Sequence, residues 1–382
     1  MSQSPSPPAQ PAAKAPAPVK AARLFMKQPN MVRVLYSLIP ILLAGIYFFG
    51  WRVLGLLVIT CAAGVAMEYV TSRQRKQPIS MACLVTCFLF ALSLPPTTPF
   101  WIAVVGVVVG ILFGKEVFGG FGRNFANPAI VGRAFVYVSF PVELTASYEP
   151  VFKGWPGGLV HWNLTTWGQL PEYLRRSGET VADAISQATP MLARQRYEYI
   201  TPTNDLFTGS IGALFDAGQE GTRILTAGSI GEVSAALIIL SGVYLIVTKT
   251  ANWRLTLSFL LGVVAANLLF RYALGVTAVP ELPFTLFAGA LMYVGVFMVT
   301  DPVSAPKKPL AMYAYGAFIG IMLVLLRWKS QFVGAAAFSV LLGNIVAPLL
   351  DIGASTWSAR GKAPPAGDAQ GAAGAGGVEG TA

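Results

Sequence analysis

The chain is short of the residues that most catalysts and metalloproteins depend on. It has one histidine, His161, in 382 residues. Bis-histidine haem ligation needs imidazoles within the spans, so a haem cytochrome is excluded. It has three cysteines, Cys61, Cys83 and Cys87, all in apolar stretches. They supply neither a disulfide framework nor a full thiolate set for an iron–sulfur cluster. Cys83 and Cys87 are one helical turn apart and share a face, which fits simple packing or half of a site completed by another subunit. Charge is also scarce, at 12% of residues against about a quarter in an ordinary soluble domain. What remains is apolar: 54% hydrophobic residues and a mean hydropathy of +0.61.

Those apolar residues fall into stretches of about 18 to 20, long enough to cross a bilayer as helices. About ten spans are expected, near 32–50, 53–70, 81–94, 99–114, 127–141, 229–248, 254–272, 284–300, 310–326 and 332–350. The organisation read from this is a Pro/Ala-rich disordered tail (1–30), a first five-helix repeat (31–141), a polar loop (142–228), a second five-helix repeat (229–352) and a Gly/Ala-rich disordered tail (353–382). The first 30 residues lack the apolar core of a secretory signal. The net charge of +10 gives no pointer to nucleic acid, because most cations sit in short loops. Arg33, Arg73, Arg75, Lys76, Lys115, Arg123, Lys249, Arg254, Lys307 and Lys308 fall on one side of a ten-span chain, with Lys20, Arg23, Arg360 and Lys362 in the tails. The positive-inside rule makes that side and both termini cytoplasmic, in a bacterial inner membrane, and puts 142–228 outside. Arg327 and Lys329 are exceptions to the pattern.

A weak internal repeat is present. Pro95-Pro96 precedes a Gly-spaced span and then Asn127-Pro128. Asp301-Pro302 precedes a second Gly-spaced span and then Asn344 to Pro348. With an odd number of spans per half the halves are inverted, and paired Pro/Gly breaks in inverted repeats point to a site at membrane depth. The expected fold is therefore all-α and polytopic, with two inverted repeats and broken helices.

One segment stands outside the bilayer as a chemical feature: Asp183-Ala184-Ile185-Ser186-Gln187-Ala188-Thr189. No base lies nearby in sequence to activate the Thr189 hydroxyl. Thr189 is thus a better acceptor for a modifying enzyme than a nucleophile. The spacing also fits an Asp-capped helix start.

Asp183, Ser186, Ala188 and Thr189 resemble the acceptor motif of ApbE-type flavin transferases, which join FMN through its phosphate to threonine. Gly114–Gly120, Gly122–Ala129, Gly132–Phe135, Gly228–Ser234, Asp301–Ala305 and Asn344–Asp351 are similar to blocks of the NqrB/RnfD family. The likeness runs from about residue 55 to 352. It implies a membrane flavoprotein subunit of an ion-translocating NADH:quinone (Nqr) or ferredoxin:NAD (Rnf) oxidoreductase. It also implies covalent FMN on Thr189, a second, non-covalent riboflavin or FMN, and coupling to Na⁺ or H⁺ movement. The implied partners are other Nqr/Rnf-type membrane subunits, among them a C- or G-type periplasmic flavin subunit, together with the flavin transferase. One position departs from the motif. Gln187 stands where glycine is usual, and a left-handed backbone there would penalise it.

The residues themselves offer a second flavin site. Gly119 and Gly120 allow close backbone approach, and Arg123 and Arg133 can neutralise a phosphate or a reduced flavin. Asn124 and Asn127 can bond broken helix ends. The plainer reading is a tight turn with Arg123 reaching the headgroups. Arg133, inside an apolar span, is a functional candidate by default. Glu68, Glu116, Glu232, Asp301 and Asp351 are the acids near membrane depth, and Asp301 and Glu116 are the ion-pathway candidates. Trp155, Trp162, Trp167, Tyr173 and Tyr197 can stack on a flavin or form an interfacial belt. A non-redox channel or transporter, or a scaffold subunit, remains compatible with the same fold.

Overall fold

Proline and glycine punctuate the apolar runs, and the helices begin and end at them. The computed structural model describes residues 24–145, 148–152, 154–163, 186–211, 214–216, 223–330 and 334–360. Its helices are α1 (Pro29–Phe49), α2 (Arg52–Gln74), α3 (Met81–Leu92), α4 (Phe100–Ile111), α5 (Pro128–Ser139), α6 (Pro141–Thr145), α7 (Pro190–Tyr197) and α8 (Thr203–Thr208). They continue with α9 (Ala235–Val247), α10 (Trp253–Asn267), α11 (Leu282–Phe287), α12 (Leu291–Tyr293), α13 (Pro309–Lys329) and α14 (Ala335–Arg360). Proline occupies the first turn of α1, α5, α7 and α13, where its missing N–H would have been unpaired anyway.

Among the described residues, five helical stretches are long and apolar enough to cross a membrane: Pro29–Phe49, Arg52–Gln74, Trp253–Ala273, Pro309–Lys329 and Ala335–Ser358. Shorter apolar helices occupy other expected spans, namely α3, α5 and α9. Three helices pass into π-helical segments, Leu112–Glu116 after α4, Leu268–Ala273 after α10 and Val294–Met298 after α12.

The fold is mostly helical rather than purely so. The polar loop contributes four short strands, β1 (Glu149–Pro150), β2 (Ser186–Ala188), β3 (Leu214–Asp216) and β4 (Arg223–Gly228). β4 pairs antiparallel with β1 and β3, and parallel with β2, in the register Ser186–Ile224, Gln187–Leu225 and Ala188–Thr226. Periodicity missed them because strands this short carry too few alternations to register.

Both Pro-marked breaks are present, at Ser93–Pro99 and at Thr300–Pro306, and others differ from expectation. Ser93 to Pro99 does separate α3 from α4, and Arg52 donates to the carbonyls of Pro96, Thr97 and Thr98 there. The expected 284–300 span is itself interrupted, at Ala288–Ala290, with Gly289 at φ +64°. Arg327 donates to the Thr285 and Ala288 carbonyls at that interruption. Each arginine supplies donors to carbonyls that a broken helix leaves open. In contrast, Asn344 and Pro348 do not break a helix; both lie within α14.

Small residues let helix pairs approach closely. A Cβ on Gly132 would come within 2.6 Å of the Gly106 carbonyl oxygen, which fixes the α4–α5 contact. The halves also meet at the two asparagines. The Asn127 N–H donates to Asn344 Oδ1 (3.1 Å), and Asn344 Nδ2 donates to the Tyr315 hydroxyl (2.6 Å).

Candidate functional site

Thr189 is the N-cap of α7: its Oγ accepts from the Leu192 N–H at 3.3 Å, and Pro190 follows at the first helical position. The cap therefore falls on Thr189; Asp183 lies outside the described residues. Ser186, Gln187 and Ala188 form β2, so the segment runs as strand, cap, helix. Gln187 is extended and paired with Leu225. The left-handed backbone that would penalise a glutamine is not what this position adopts.

Side chains of α7 tie it to the connection before α11 and to the end of α13. Arg194 donates to the carbonyls of Thr277 and Ala278, and Gln195 to that of Arg327. Thr189 is thereby held in the wall of a cleft between the loop and the membrane helices. Arg133, Tyr148, Glu232, Ala290 and Arg327 line the cleft with Thr189 and Met191. Burial pushes the Tyr148 hydroxyl well above its ordinary pKa, so it lines the cleft as a neutral group.

Arg133 is the unusual member. It is 2% exposed, and its Nη2 donates to Glu232 Oε1 at 2.8 Å. Its Nε and Nη1 are buried with no hydrogen-bond partner among the described residues. Its guanidinium carbon lies 5.2 Å from the Tyr137 ring centre. Buried guanidinium donors normally find acceptors, so two open ones beside a cleft mark a place for an anionic or carbonyl-bearing group.

A second cleft lies farther along the bundle. α13 separates the two: Asp301 to Val303, just before it, line this cleft, whereas Ser330, just after it, lines the Thr189 cleft. The second cleft is mainly apolar, with Thr86, Lys115, Asn124, Asn127 and Asp301 as its polar wall. Asn127 caps α5 through the Ala129 N–H (2.9 Å), and Asn124 Nδ2 donates to the Ala126 carbonyl (3.1 Å). Asp301 accepts from the Val303 N–H and the Ser304 hydroxyl, at 3.0 and 3.1 Å.

The set Gly119, Gly120, Arg123, Asn124, Asn127 and Arg133 is therefore not one site. Asn124 and Asn127 line the second cleft and Arg133 the Thr189 cleft. Gly119 and Gly120, both at positive φ, form a turn covered by Arg123 and Arg75, and Arg123 is exposed.

The acids are mostly engaged. Lys115, expected as a loop cation, is 2% exposed and donates to Glu68 Oε2 at 2.6 Å and Ser80 Oγ at 2.7 Å. Glu116 accepts from Thr71 and pairs with Arg75. Asp351 accepts from the Lys307 and Lys308 N–H groups at the start of α13.

Trp155 is 85% exposed, and Trp162 packs on Gly55 of α2; neither is among the residues lining the Thr189 cleft. Trp167 and Tyr173 lie outside the described residues, as does the Tyr197 side chain. The aromatic residue that lines the cleft is Tyr148, which no motif flagged. Arg327 was also missed as a site residue, although its place as an exception to the charge pattern was a signal.

Comparison with known proteins places the chain in a family. The family described as NQR2, RnfD, RnfE matches residues 21–356. The chain is 31% identical over 332 residues to the D subunit of the ion-translocating oxidoreductase complex of Psychromonas ingrahamii, covering 84% of this chain and 91% of that one. It is 32% identical to the protein of the same name from Aeromonas salmonicida, covering 85% and 92%. It is also 32% identical to that of Yersinia pestis, covering 84% and 91%. A family match across most of the chain and relatives aligned over nine-tenths of their length leave one assignment: the chain belongs to the NQR2, RnfD, RnfE family.

Proposed function

We propose that the chain is the D-type membrane component of an ion-translocating oxidoreductase complex, and that it relays electrons through FMN joined by its phosphate to Thr189. One observation carries this reading. The threonine hydroxyl of the acceptor motif caps a helix and opens onto a cleft holding a buried arginine with two open donors. The residues fit the group. The N-terminus of α7 suits a phosphodiester, since N–H groups and the helix dipole face it. Arg133 and Arg327 offset negative charge, while Met191, Leu192, Ala290, Ala335 and Ala336 give apolar walls to a flat ring. FMN supplies the redox chemistry; this chain supplies position and electrostatics.

The second, non-covalent flavin is assigned to the other cleft, whose Asn124, Asn127 and Lys115 offer donors beside an apolar wall. Asp301 lines that cleft and is the better ion-pathway candidate; Glu116 is already held by Thr71 and Arg75. In this reading the Thr189 cleft faces the periplasm, where a flavin-bearing partner exchanges electrons with it, and both termini face the cytoplasm. Coupling is to Na⁺ or H⁺.

Co-expression with an ApbE-type flavin transferase tests it. The chain's band on a denaturing gel is expected to fluoresce, and Thr189→Ala to be dark. A dark wild-type band would turn the reading toward a non-redox transporter or a scaffold subunit.

A further inference from the structure

We infer that the Arg133–Glu232 pair is a charge balance that sets the reduction potential of the flavin carried on Thr189, with Arg133 favouring the reduced ring and Glu232 opposing it. The inference rests on the Thr189 reading and extends it to two residues of the membrane part.

The pair is placed for this role. Arg133 rises from α5, and Glu232 sits in the short 3₁₀ turn Ile230–Glu232 that leads into α9. Both line the cleft that Thr189 opens onto. Their side chains are 2% and 11% exposed, so solvent screens them little.

The bonding is incomplete in one direction only. A guanidinium carries five N–H donors in a fork suited to two-point contact with a carboxylate. Glu232 engages a single nitrogen, Nη2, and leaves Nε and Nη1 buried and open. A pair whose task was only to join helices would be expected to close both contacts. The open edge suits an acceptor that arrives with a ligand.

The phosphodiester is a weaker claimant for that edge. Its place is fixed by the bond to Thr189 Oγ, at the N-terminus of α7. Arg133 belongs to the membrane helix, six residues before the end of α5, or about 9 Å along its axis. It lines the cleft and is 2% exposed, so it faces whatever group fills that space. On taking up two electrons and one proton, the ring gains one negative charge. Arg133 stabilises that charge and Glu232 repels it, and burial strengthens both effects.

The two residues therefore act with opposite sign, which a merely structural pair would not. The test uses the full chain, labelled by the transferase and purified in detergent. Dithionite supplies the electrons in an anaerobic titration, and flavin absorbance is read on the labelled fraction. At fixed potential, Arg133→Gln is expected to shift the oxidised-to-reduced ratio at least tenfold toward oxidised, a fall of about 30 mV for a two-electron couple. Glu232→Gln is expected to shift it in the opposite direction, and Arg133→Lys to lie between wild type and Arg133→Gln. The double variant Arg133→Gln/Glu232→Gln leaves no uncompensated charge, controls for folding, and should fall between the two single variants.

Shifts of the same sign, or none, in a brightly labelled protein would overturn this inference alone. Loss of label in Arg133→Gln with an unmoved potential in the remainder would overturn it too, by assigning Arg133 to the phosphate. A dark wild-type protein would overturn the Thr189 reading, and this inference with it.

Discussion

Replacing Glu68 should destabilise the membrane part more than any single surface change, and the size of the loss follows from its contacts. Glu68 Oε1 accepts from the Ser80 N–H at 2.8 Å and the Ser80 hydroxyl at 2.7 Å, while Oε2 accepts from Lys115 Nζ at 2.6 Å. The Glu68 and Lys115 side chains are 4% and 2% exposed. Glu68→Gln removes the counter-charge and leaves one amide oxygen for which Lys115 and Ser80 compete, so the nearest carboxylate to the buried ammonium is that of Glu116, 3.8 Å away. Breaking a buried pair from one side costs about 3–5 kcal/mol. The lower end applies here, because Glu116 still offsets part of the charge. Lys115→Met leaves Glu68 bonded twice to Ser80 and should cost about 2–3 kcal/mol, the loss of one hydrogen bond to a charged group with part of the desolvation. In the double variant the orphaned charge is gone, so its loss should fall short of the sum by about 2 kcal/mol. The assay is SDS-induced unfolding in mixed micelles for all four proteins. Single losses that add to the double within about 0.5 kcal/mol would refute the coupling, since independent sites add to that accuracy.

Arg327→Leu should cost about 2–4 kcal/mol, because it uncovers the Thr285 and Ala288 carbonyls, whereas Lys329→Ala next to it should change little; thermal unfolding in detergent compares them. Gly132→Ala forces α5 away from the Gly106 carbonyl and should cost about 1–3 kcal/mol, read as lower monodisperse yield on size exclusion. Gln187→Gly should not raise labelling of Thr189, because the position is already an extended strand paired with Leu225 and glycine weakens strands; in-gel fluorescence decides, and a brighter band would contradict the strand geometry. Arg194→Ala removes the bonds to the Thr277 and Ala278 carbonyls that hold α7, and protease nicking near residue 198 should become faster.

Much of the helical layout was legible because it rests on long-range composition. Apolar runs between prolines place α1, α2, α10 and α13 within a few residues of their sequence ranges, whereas α14 runs to Arg360, ten residues past the expected end and into the stretch expected as a disordered tail. What was illegible depends on tertiary contact. Arg133 and Asn127 are six residues apart, yet α5 carries one to each cleft, so sequence proximity grouped residues that the helix separates. Lys115 looked like a loop cation because its acidic partner, Glu68, is 47 residues away. The interruption at Ala288–Ala290 has glycine alone as its local mark, and its carbonyls depend on Arg327, 39 residues downstream of Ala288. In the same way, Asn344 resembled Asn127 in its neighbours but sits within a continuous helix, where Pro348 is tolerated.

Thr189 belongs to the connection between the first and second groups of membrane helices, and its cleft draws on both. The Thr189 cleft takes Arg133 from the first half, Glu232 and Arg327 from the second, and Thr189 itself from the loop. The seam between the halves is polar at several levels: Arg133 to Glu232, Asn127 to Asn344, the Tyr293 hydroxyl to the Leu89 carbonyl, and the Ser241 hydroxyl to the Ser37 carbonyl. Polar contacts between helices hold relative position where apolar packing against lipid-like surfaces gives little driving force. A small shift of one group of helices against the other would therefore alter the Arg133–Glu232 contact, which lines the same cleft as Thr189. Any charge change in that cleft acts on the same contact from the other direction, because coupling between two linked equilibria is reciprocal. The seam is thus a physical route by which charge in the Thr189 cleft and the packing of the two groups of helices can influence each other.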